Sequence, residues 1–457
     1  MSLDYARWIW LIFYGTLIVG IMVTVLMENR QPAKTLAWLL VLTFLPVVGL
    51  VLYAFFGRDH RKKRIHRTNP REPIPLKPIS PPPAQASGDR HDIQPAEAIG
   101  STSLVKGMGD ELTLPLIRLF ANQGMEPPFH TDHTELYVSG YEFFPALLQA
   151  IGKARRTITL STYIIADDPL GRLVVDALAD KAAEGVDVSL VYDDVGCWKV
   201  HNSFFRRISR RGIRVEAFMP VHFPALTGKI NYRNHRKICV IDGDTVFIGG
   251  MNVALRYVKE WRDTHLCVHR STEGALAQFV TSSPLSPWPD IMQAYVRILL
   301  EARHYVWMET PYFLPTEPIL FAMRTAALAG VDVRLMVPRH SDAILAEWAS
   351  ISYVSQAIEA GVQVWLYQDG FNHSKLLVSD DSISTCGSTN IDFRSFENNF
   401  EANIFFYDKE MAQRIRQVFL DDMSRCTLAN DHWQANGRRP FVRRLWESVV
   451  RLLSPLL

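Results

Sequence analysis

Two stretches of this chain carry one pattern. Asn234-His-Arg-Lys-Ile-Cys-Val-Ile-Asp242 and Asn372-His-Ser-Lys-Leu-Leu-Val-Ser-Asp380 share an asparagine, a histidine, a lysine and an aspartate at the same intervals. Each continues after six residues with a glycine, Gly249 or Gly387, and three positions later with an asparagine, Asn252 or Asn390. An acidic residue follows each histidine by 28 positions, Asp263 after His235 and Glu401 after His373. Matching positions at matching intervals mark an internal duplication, which restricts the chain to folds that build one site from two copies of a unit. Weaker echoes agree: Gly185-Val-Asp-Val-Ser-Leu-Val-Tyr192 is answered by Gly330-Val-Asp-Val-Arg-Leu-Met-Val337, each after a helix-like run. Gly212-Ile-Arg-Val is answered by Gly361-Val-Gln-Val. Short β-branched runs alternating with helical stretches predict an α/β class, with two α/β halves facing across a pseudo-twofold site.

The ends differ from the middle. Residues 8–27 and 36–56 hold no charge, and each run is long enough to cross a ~30 Å hydrocarbon core. Only residues 28–35 join them, which predicts an N-terminal two-helix transmembrane hairpin, with Pro46 and Gly49 placed to bend the second helix. Two cations, Arg30 and Lys34, lie in that loop, against Arg58, Arg61, Lys62, Lys63, Arg64 and Arg67 after the second run. The positive-inside bias therefore places the remaining chain in the cytoplasm, beneath an inner-membrane anchor. Prolines crowd residues 70–95, the composition of an extended linker. At the far end Val442, Leu445, Trp446, Val449, Leu452 and Leu453 fall on one helical face, opposite Arg444, Glu447, Ser448 and Arg451. Such a helix suits the membrane interface or packing on its parent domain. The segments are then 1–57 hairpin, 58–110 basic and Pro-rich linker, 111–282 first half, 283–430 second half and 431–457 basic amphipathic helix.

Composition narrows the function. With 49 Lys and Arg against 47 Asp and Glu, the chain lacks the basic excess of a nucleic-acid-coating protein, and 48% apolar content excludes wholesale disorder. Five widely spaced cysteines without a CxxC pair suggest neither a disulfide framework nor a zinc site.

Strand alternation would aim His235 with Lys237, and His373 with Lys375, at one place in each half. Brought together, two histidines, two lysines and two asparagines suit a phosphodiester, whose charge and transition-state oxygens call for cations and amide donors. One histidine can attack phosphorus to give a phosphohistidine while the other protonates the departing alcohol and deprotonates the incoming one. That chemistry requires no metal or other cofactor, and one histidine with a lysine is a poor divalent ligand set. Asp263 and Glu401 would bond the far nitrogens of the motif histidines and fix their tautomers. Asp242 and Asp380 complete the catalytic motifs, although their places at apparent strand ends suit a turn or scaffold role better than proton transfer.

The paired motifs resemble the HKD signature of the phospholipase D superfamily, over residues 114–429. Within it, the chain is similar to the bacterial cardiolipin synthases. It shares with them Lys34-Thr-Leu-Ala-Trp38, Tyr192-Asp-Asp-Val-Gly196, Trp261-Arg-Asp-Thr-His265, Thr310-Pro-Tyr-Phe-Leu-Pro315, Asn390-Ile-Asp-Phe-Arg-Ser-Phe396 and Asn399-Phe-Glu401. The resemblance implies transfer of a phosphatidyl group from one phosphatidylglycerol to another, giving cardiolipin and glycerol, with no nucleic acid and no obligatory protein partner. It implies a phosphate site of His235, Lys237, Asn252, His373, Lys375, Ser388 and Asn390, with Asp263 and Glu401 behind the histidines. One departure is a short connection near residues 270–283, where members of the group carry a longer segment with an extra helix. Hydrolysis to phosphatidic acid, phosphatidylethanolamine as co-substrate, an endonuclease and an inactive lipid-binding scaffold are the other readings the motifs admit.

Overall fold

A computed structural model of the protein describes residues 112–221, 231–429, 441–451 and 454, with residues 8, 14–16, 18–23, 25–26, 32–45, 49 and 53 of the N-terminal region. The chain divides into two compact units, one of residues 1–72 with 221–231 and one holding the rest. In the first, α1 (Pro32–Phe44) starts four residues before the expected position, with Pro32 at a place where its missing N–H costs nothing. Val25, Leu42 and Tyr53 form a small buried cluster, with the Trp38 ring edge-on to Tyr53 at 5.3 Å. Among the described residues no helix is long and apolar enough to cross a membrane. The basic and Pro-rich stretch expected over 58–110 lies outside the described residues.

The second unit is built on one sheet of fifteen strands. The helix α2 (Thr113–Asn122) leads into β1 (Phe129–Tyr137), α3 (Gly140–Lys153), β2 (Thr157–Thr162), α4 (Pro169–Ala183), β3 (Asp187–Asp193), α5 (Asn202–Ser209) and β4 (Arg214–Phe218). Then come β5 (Ile238–Ile241), β6 (Thr245–Gly249) and β7 (His265–Ser271). The same order recurs as β8 (Ala275–Ser282), α6 (Asp290–Glu301), β9 (Tyr305–Glu309), α7 (Glu317–Leu328), β10 (Asp332–Pro338), α8 (Ile344–Glu359), β11 (Gln363–Tyr367), β12 (Leu376–Ser379), β13 (Ile383–Gly387) and β14 (Glu401–Phe406). After it, α9 (Lys409–Met423), β15 (Cys426–Leu428) and α10 (Phe441–Arg451) complete the chain's described part.

Across the sheet the strands run β15-β11-β10-β9-β12-β13-β14-β8-β1-β7-β6-β5-β2-β3-β4, so the two halves read outward in the same order from a shared centre. That centre is the antiparallel pair β1 and β8, Phe129 opposite Ala277. β7 and β8 flank β1, and the short connection between them, residues 272–274, crosses its start at Gly274, whose φ of +105° favours glycine. Helices α3, α4 and α5 cover one face of the first half through residues such as Phe143, Val174 and Phe204. Helices α6, α7 and α8 cover the second through Ile291, Ile319 and Val354, while α9 packs Met411, Ile415 and Phe419 on the opposite face. The period-2 alternation of strands drives this: in β9, Val306 and Met308 face one layer and Trp307 the other. All five cysteines are free.

Each half is pinned at the strand ends farthest from its motif histidine. Asp242, at φ +54°, accepts backbone N–H bonds from Arg155 (2.9 Å), Arg156 (2.7 Å) and Thr157 (3.0 Å). Asp380, at φ +50°, does the same for Arg303 (2.7 Å), His304 (2.9 Å) and Tyr305 (2.8 Å). Burial would raise the Asp242 carboxyl, but these donors hold it below the ordinary range. Replacing Asp380 with alanine removes one acceptor from three donors and is expected to cost ~1–3 kcal/mol, read as a lower denaturant midpoint. A loss under about 0.5 kcal/mol would count against the clamp.

Candidate active site

The motif histidines are not strand residues: β5 and β12 begin just after Lys237 and Lys375, so each His-x-Lys triplet lies in the irregular stretch that feeds its strand. That stretch is held by the other half. Trp261–Arg262 pairs in parallel with Phe371–Asn372, and the His373 N–H donates to the Arg262 carbonyl at 2.7 Å. Asn234 bridges Phe400 in parallel, and the His235 N–H donates to the Phe400 carbonyl at 3.0 Å. The next residue on each supporting segment is the acid, so the carboxylates cross over. Asp263 Oδ2 lies 2.6 Å from His373 Nδ1, and the Glu401 oxygens lie 3.0 and 3.1 Å from His235 Nδ1. The 28-residue spacing thus links each histidine to an acid that serves the opposite histidine.

A carboxylate beside Nδ1 accepts a hydrogen bond from Nδ1–H, which keeps the proton on that nitrogen and leaves Nε2 with its lone pair. Both histidines line one cavity of about 580 Å³, together with Asn252 and Asn390. Burial, then Lys375, Lys237 and His235, holds the His373 imidazole well below its ordinary value. His235 is also lowered by burial, with Glu401 opposing and Lys237 assisting. Burial alone would raise Glu401, but His235, Lys237 and the Ser388 hydroxyl hold it low. Burial lowers Lys375 to about 8, against the pull of Asp263 and Glu401, and pushes Lys237 well down.

The other expected residues divide. Lys237 donates to the His235 carbonyl at 2.6 Å and Lys375 lies 2.8 Å from His373 Nδ1, so both ammonium groups sit beside their own histidines. Asn252 accepts from the Ile164 N–H at 3.0 Å, and Asn390 donates to Asp392 at 2.9 Å. Ser388, 1% exposed, gives its hydroxyl to Glu401 and its carbonyl to His235, so it stands behind the histidine. Asp242 and Asp380 are not brought to the cavity, because five strand positions separate each from its lysine, about 16 Å of chain. Gly250 admits its acid, since a Cβ there would collide with the Asp263 carboxylate; its repeat counterpart is Ser388, which bonds Glu401, and a Cβ on Gly387 would collide with Asn403.

Two arginines escaped the sequence reading. Arg256 and Arg394 both line the cavity, half-buried, and neither makes an ion pair among the described residues. Each follows its asparagine by four positions, Asn252 and Asn390, so an Asn-x3-Arg echo was legible in the repeat. Arg256 lies 4.5 Å over the Trp261 ring, and Trp261, Tyr257 and Phe371 wall His373. Arg233, 1% exposed, pairs with the buried Asp193 at 3.3 Å. Away from the cavity, Glu135, Cys267 and His269 on β1 and β7 bring possible metal-ligand atoms within 4.8 Å of one another, but burial raises the Cys267 thiol to about 12. A Gly250→Ala change is expected to displace Asp263 and lower turnover about 10²-fold without loss of the folded near-ultraviolet spectrum. Unchanged turnover would show that the close approach is dispensable.

The family description "Cardiolipin synthase, PLD-like domain" matches residues 147–280 and 295–423, and "Phospholipase_D-nuclease N-terminal" matches 16–58. The cardiolipin synthase of Geobacillus kaustophilus is 33% identical, covering 96% of this chain and 92% of its own. That of Alkalihalophilus pseudofirmus is 35% identical with the same coverage. The phosphatidylserine synthase structure from Haemophilus influenzae shares the fold at a TM-score of 0.59 and 14% identity, over 75% of this chain and all of that one.

Proposed function

The chain belongs to the cardiolipin synthases of the phospholipase D superfamily, and on that footing we propose that it joins two phosphatidylglycerol molecules into cardiolipin and releases glycerol. The observation that carries this is the pair of histidines, each oriented by a carboxylate from the opposite half, in one cavity. Nε2 of one attacks the donor phosphorus, and the bond from phosphorus to the headgroup glycerol breaks. The other imidazolium gives that oxygen its proton, so free glycerol leaves and a phosphohistidine remains. The hydroxyl of the second phosphatidylglycerol then gives its proton to the same imidazole and attacks phosphorus, restoring Nε2. One phosphodiester is formed for each one broken.

His235 and His373 are the reacting groups, Asp263 and Glu401 fix their tautomers, and Ser388 fixes Glu401. Asn252 and Asn390 face the phosphate, Lys237 and Lys375 supply positive potential, and Asp242 and Asp380 hold the scaffold. Arg256 and Arg394, at repeat-equivalent positions and in no ion pair among the described residues, favour an anionic lipid phosphate on each side. That supports phosphatidylglycerol on both sides, since the ammonium of phosphatidylethanolamine, which could enter only as phosphatidyl donor, would meet a guanidinium. Two apolar runs and the cation bias after them support anchoring in the inner membrane with the catalytic body on the cytoplasmic side.

Incubation of purified, detergent-solubilised protein with radiolabelled phosphatidylglycerol and a chelator is expected to give cardiolipin and glycerol, and none with His235→Ala or His373→Ala. Phosphatidic acid alone would overturn transfer in favour of hydrolysis. Transfer needs one imidazole neutral and the other charged, and both are lowered from 6.5, so kcat/KM is expected to rise on acidification below that pH as the proton-donating imidazole charges, falling only when the attacking imidazole takes up a proton as well. An acid limb at or above 6.5 would contradict a neutral attacking imidazole.

A further inference from the structure

The C-terminal helix α10 presents an apolar face that its own domain leaves uncovered. One side docks on α8, where Val450 is buried with Leu314, Ala346 and Ala349, and Trp446 meets Trp348 edge-on at 6.0 Å. Glu447 is buried, and the Arg451 guanidinium lies 5.9 Å over the Tyr353 ring. Leu445, Trp446 and Val449 nevertheless remain 53%, 49% and 44% exposed. Positions i, i+1 and i+4 share a helical face, so these three form a stripe. At the head of α8, Ile344 and Leu345 are 69% and 44% exposed and also line the active-site cavity. One helix therefore joins an apolar cavity mouth to an outward apolar stripe.

We propose that this surface, the outer stripe of α10 with Ile344 and Leu345, seats the catalytic body on an anionic bilayer, with the cavity mouth at headgroup level. The inference rests on the lipid-transfer reading, because a cavity that takes a phospholipid headgroup must let the acyl chains leave through its mouth. Charge points to the same occupant: residues 438–457 hold five arginines and one acid, and that acid, Glu447, is buried. A tryptophan amid leucine and valine, flanked by arginines, matches the chemistry of the membrane interface. The amphipathic helix thus serves both uses its sequence suggested, one side on the domain and another on the lipid.

The test uses the full chain reconstituted in vesicles of phosphatidylglycerol and phosphatidylcholine. An environment-sensitive fluorophore is placed on Leu445→Cys, Val449→Cys or, as reference, the exposed Leu173→Cys on α4, with the labelled parent chain as background. Brominated lipids are expected to quench the label at 445 and 449 and not at 173. Absence of quenching at 445 and 449 overturns the proposal, as does energy transfer between labelled copies without lipid quenching, which would assign the stripe to a second copy. In a second arm, Leu445→Asp with Val449→Asp is expected to slow cardiolipin formation in vesicles tenfold or more while leaving turnover of monomeric short-chain phosphatidylglycerol within twofold. Equal loss on both substrates rejects docking in favour of a packing role. If the parent chain forms no cardiolipin from either substrate, the transfer reading fails, and the quenching result still decides where the helix lies.

Discussion

The exchange of carboxylates between halves is the interaction on which the site depends. Asp263 belongs to the first repeat and orients His373, while Glu401 belongs to the second and orients His235. Both acids are buried, where an imidazole without its acceptor would lose its tautomeric preference and an acid without its imidazole would be an uncompensated charge. The parallel pairing of Trp261–Arg262 with Phe371–Asn372, and the Asn234–Phe400 bridge, place each acid one residue beyond a backbone contact. Ladder geometry, more than side-chain reach, sets the spacing between histidine and acid.

Burial then shapes the chemistry. His373 sits among Tyr257, Trp261 and Phe371, while His235 meets Tyr163 at 5.1 Å and keeps more exposure, so two groups equivalent in sequence stand in unequal surroundings. Further back the halves differ again: Asn234 donates to Ser161 at 3.0 Å, where Asn372 donates at 3.2 Å to Glu309, an acid that burial raises to about 8. A duplicated frame carrying unequal second partners is the arrangement a two-step transfer calls for, since one imidazole must bond phosphorus while the other handles protons.

Much of this was legible in the chain. The repeat located both histidines, both lysines, both asparagines and both acids, because fixed intervals survive folding as fixed places in equivalent units. The pseudo-twofold followed from the same intervals, and the α/β class from β-branched runs alternating with helical stretches. What the intervals could not convey is direction: an acid 28 residues from a histidine lies beside the other histidine, a fact of topology that no single repeat contains. Alternation misplaced the His-x-Lys triplets in strands, since irregular backbone pinned from outside has no period. Asp242 and Asp380 sat in the motif by spacing, yet their positive φ values and backbone donors belong to the strand ends. Arg256 and Arg394 were within reach, had the echo been followed four residues past each asparagine. A spanning hairpin is not described by any helix among the described residues, of which α1 covers 13.

The continuous sheet carries a last consequence. Because β1 and β8 are joined by backbone hydrogen bonds at the centre, the halves share one ladder and cannot swing apart like jaws without breaking it. On the lipid-transfer proposal glycerol then departs, and the second lipid arrives, through an opening whose walls the sheet holds in place. Traffic through such a door is governed by how crowded the street outside is: the enzyme's pace would track the lateral density of its substrate in the leaflet, making the fold a gauge of membrane composition as well as a maker of it.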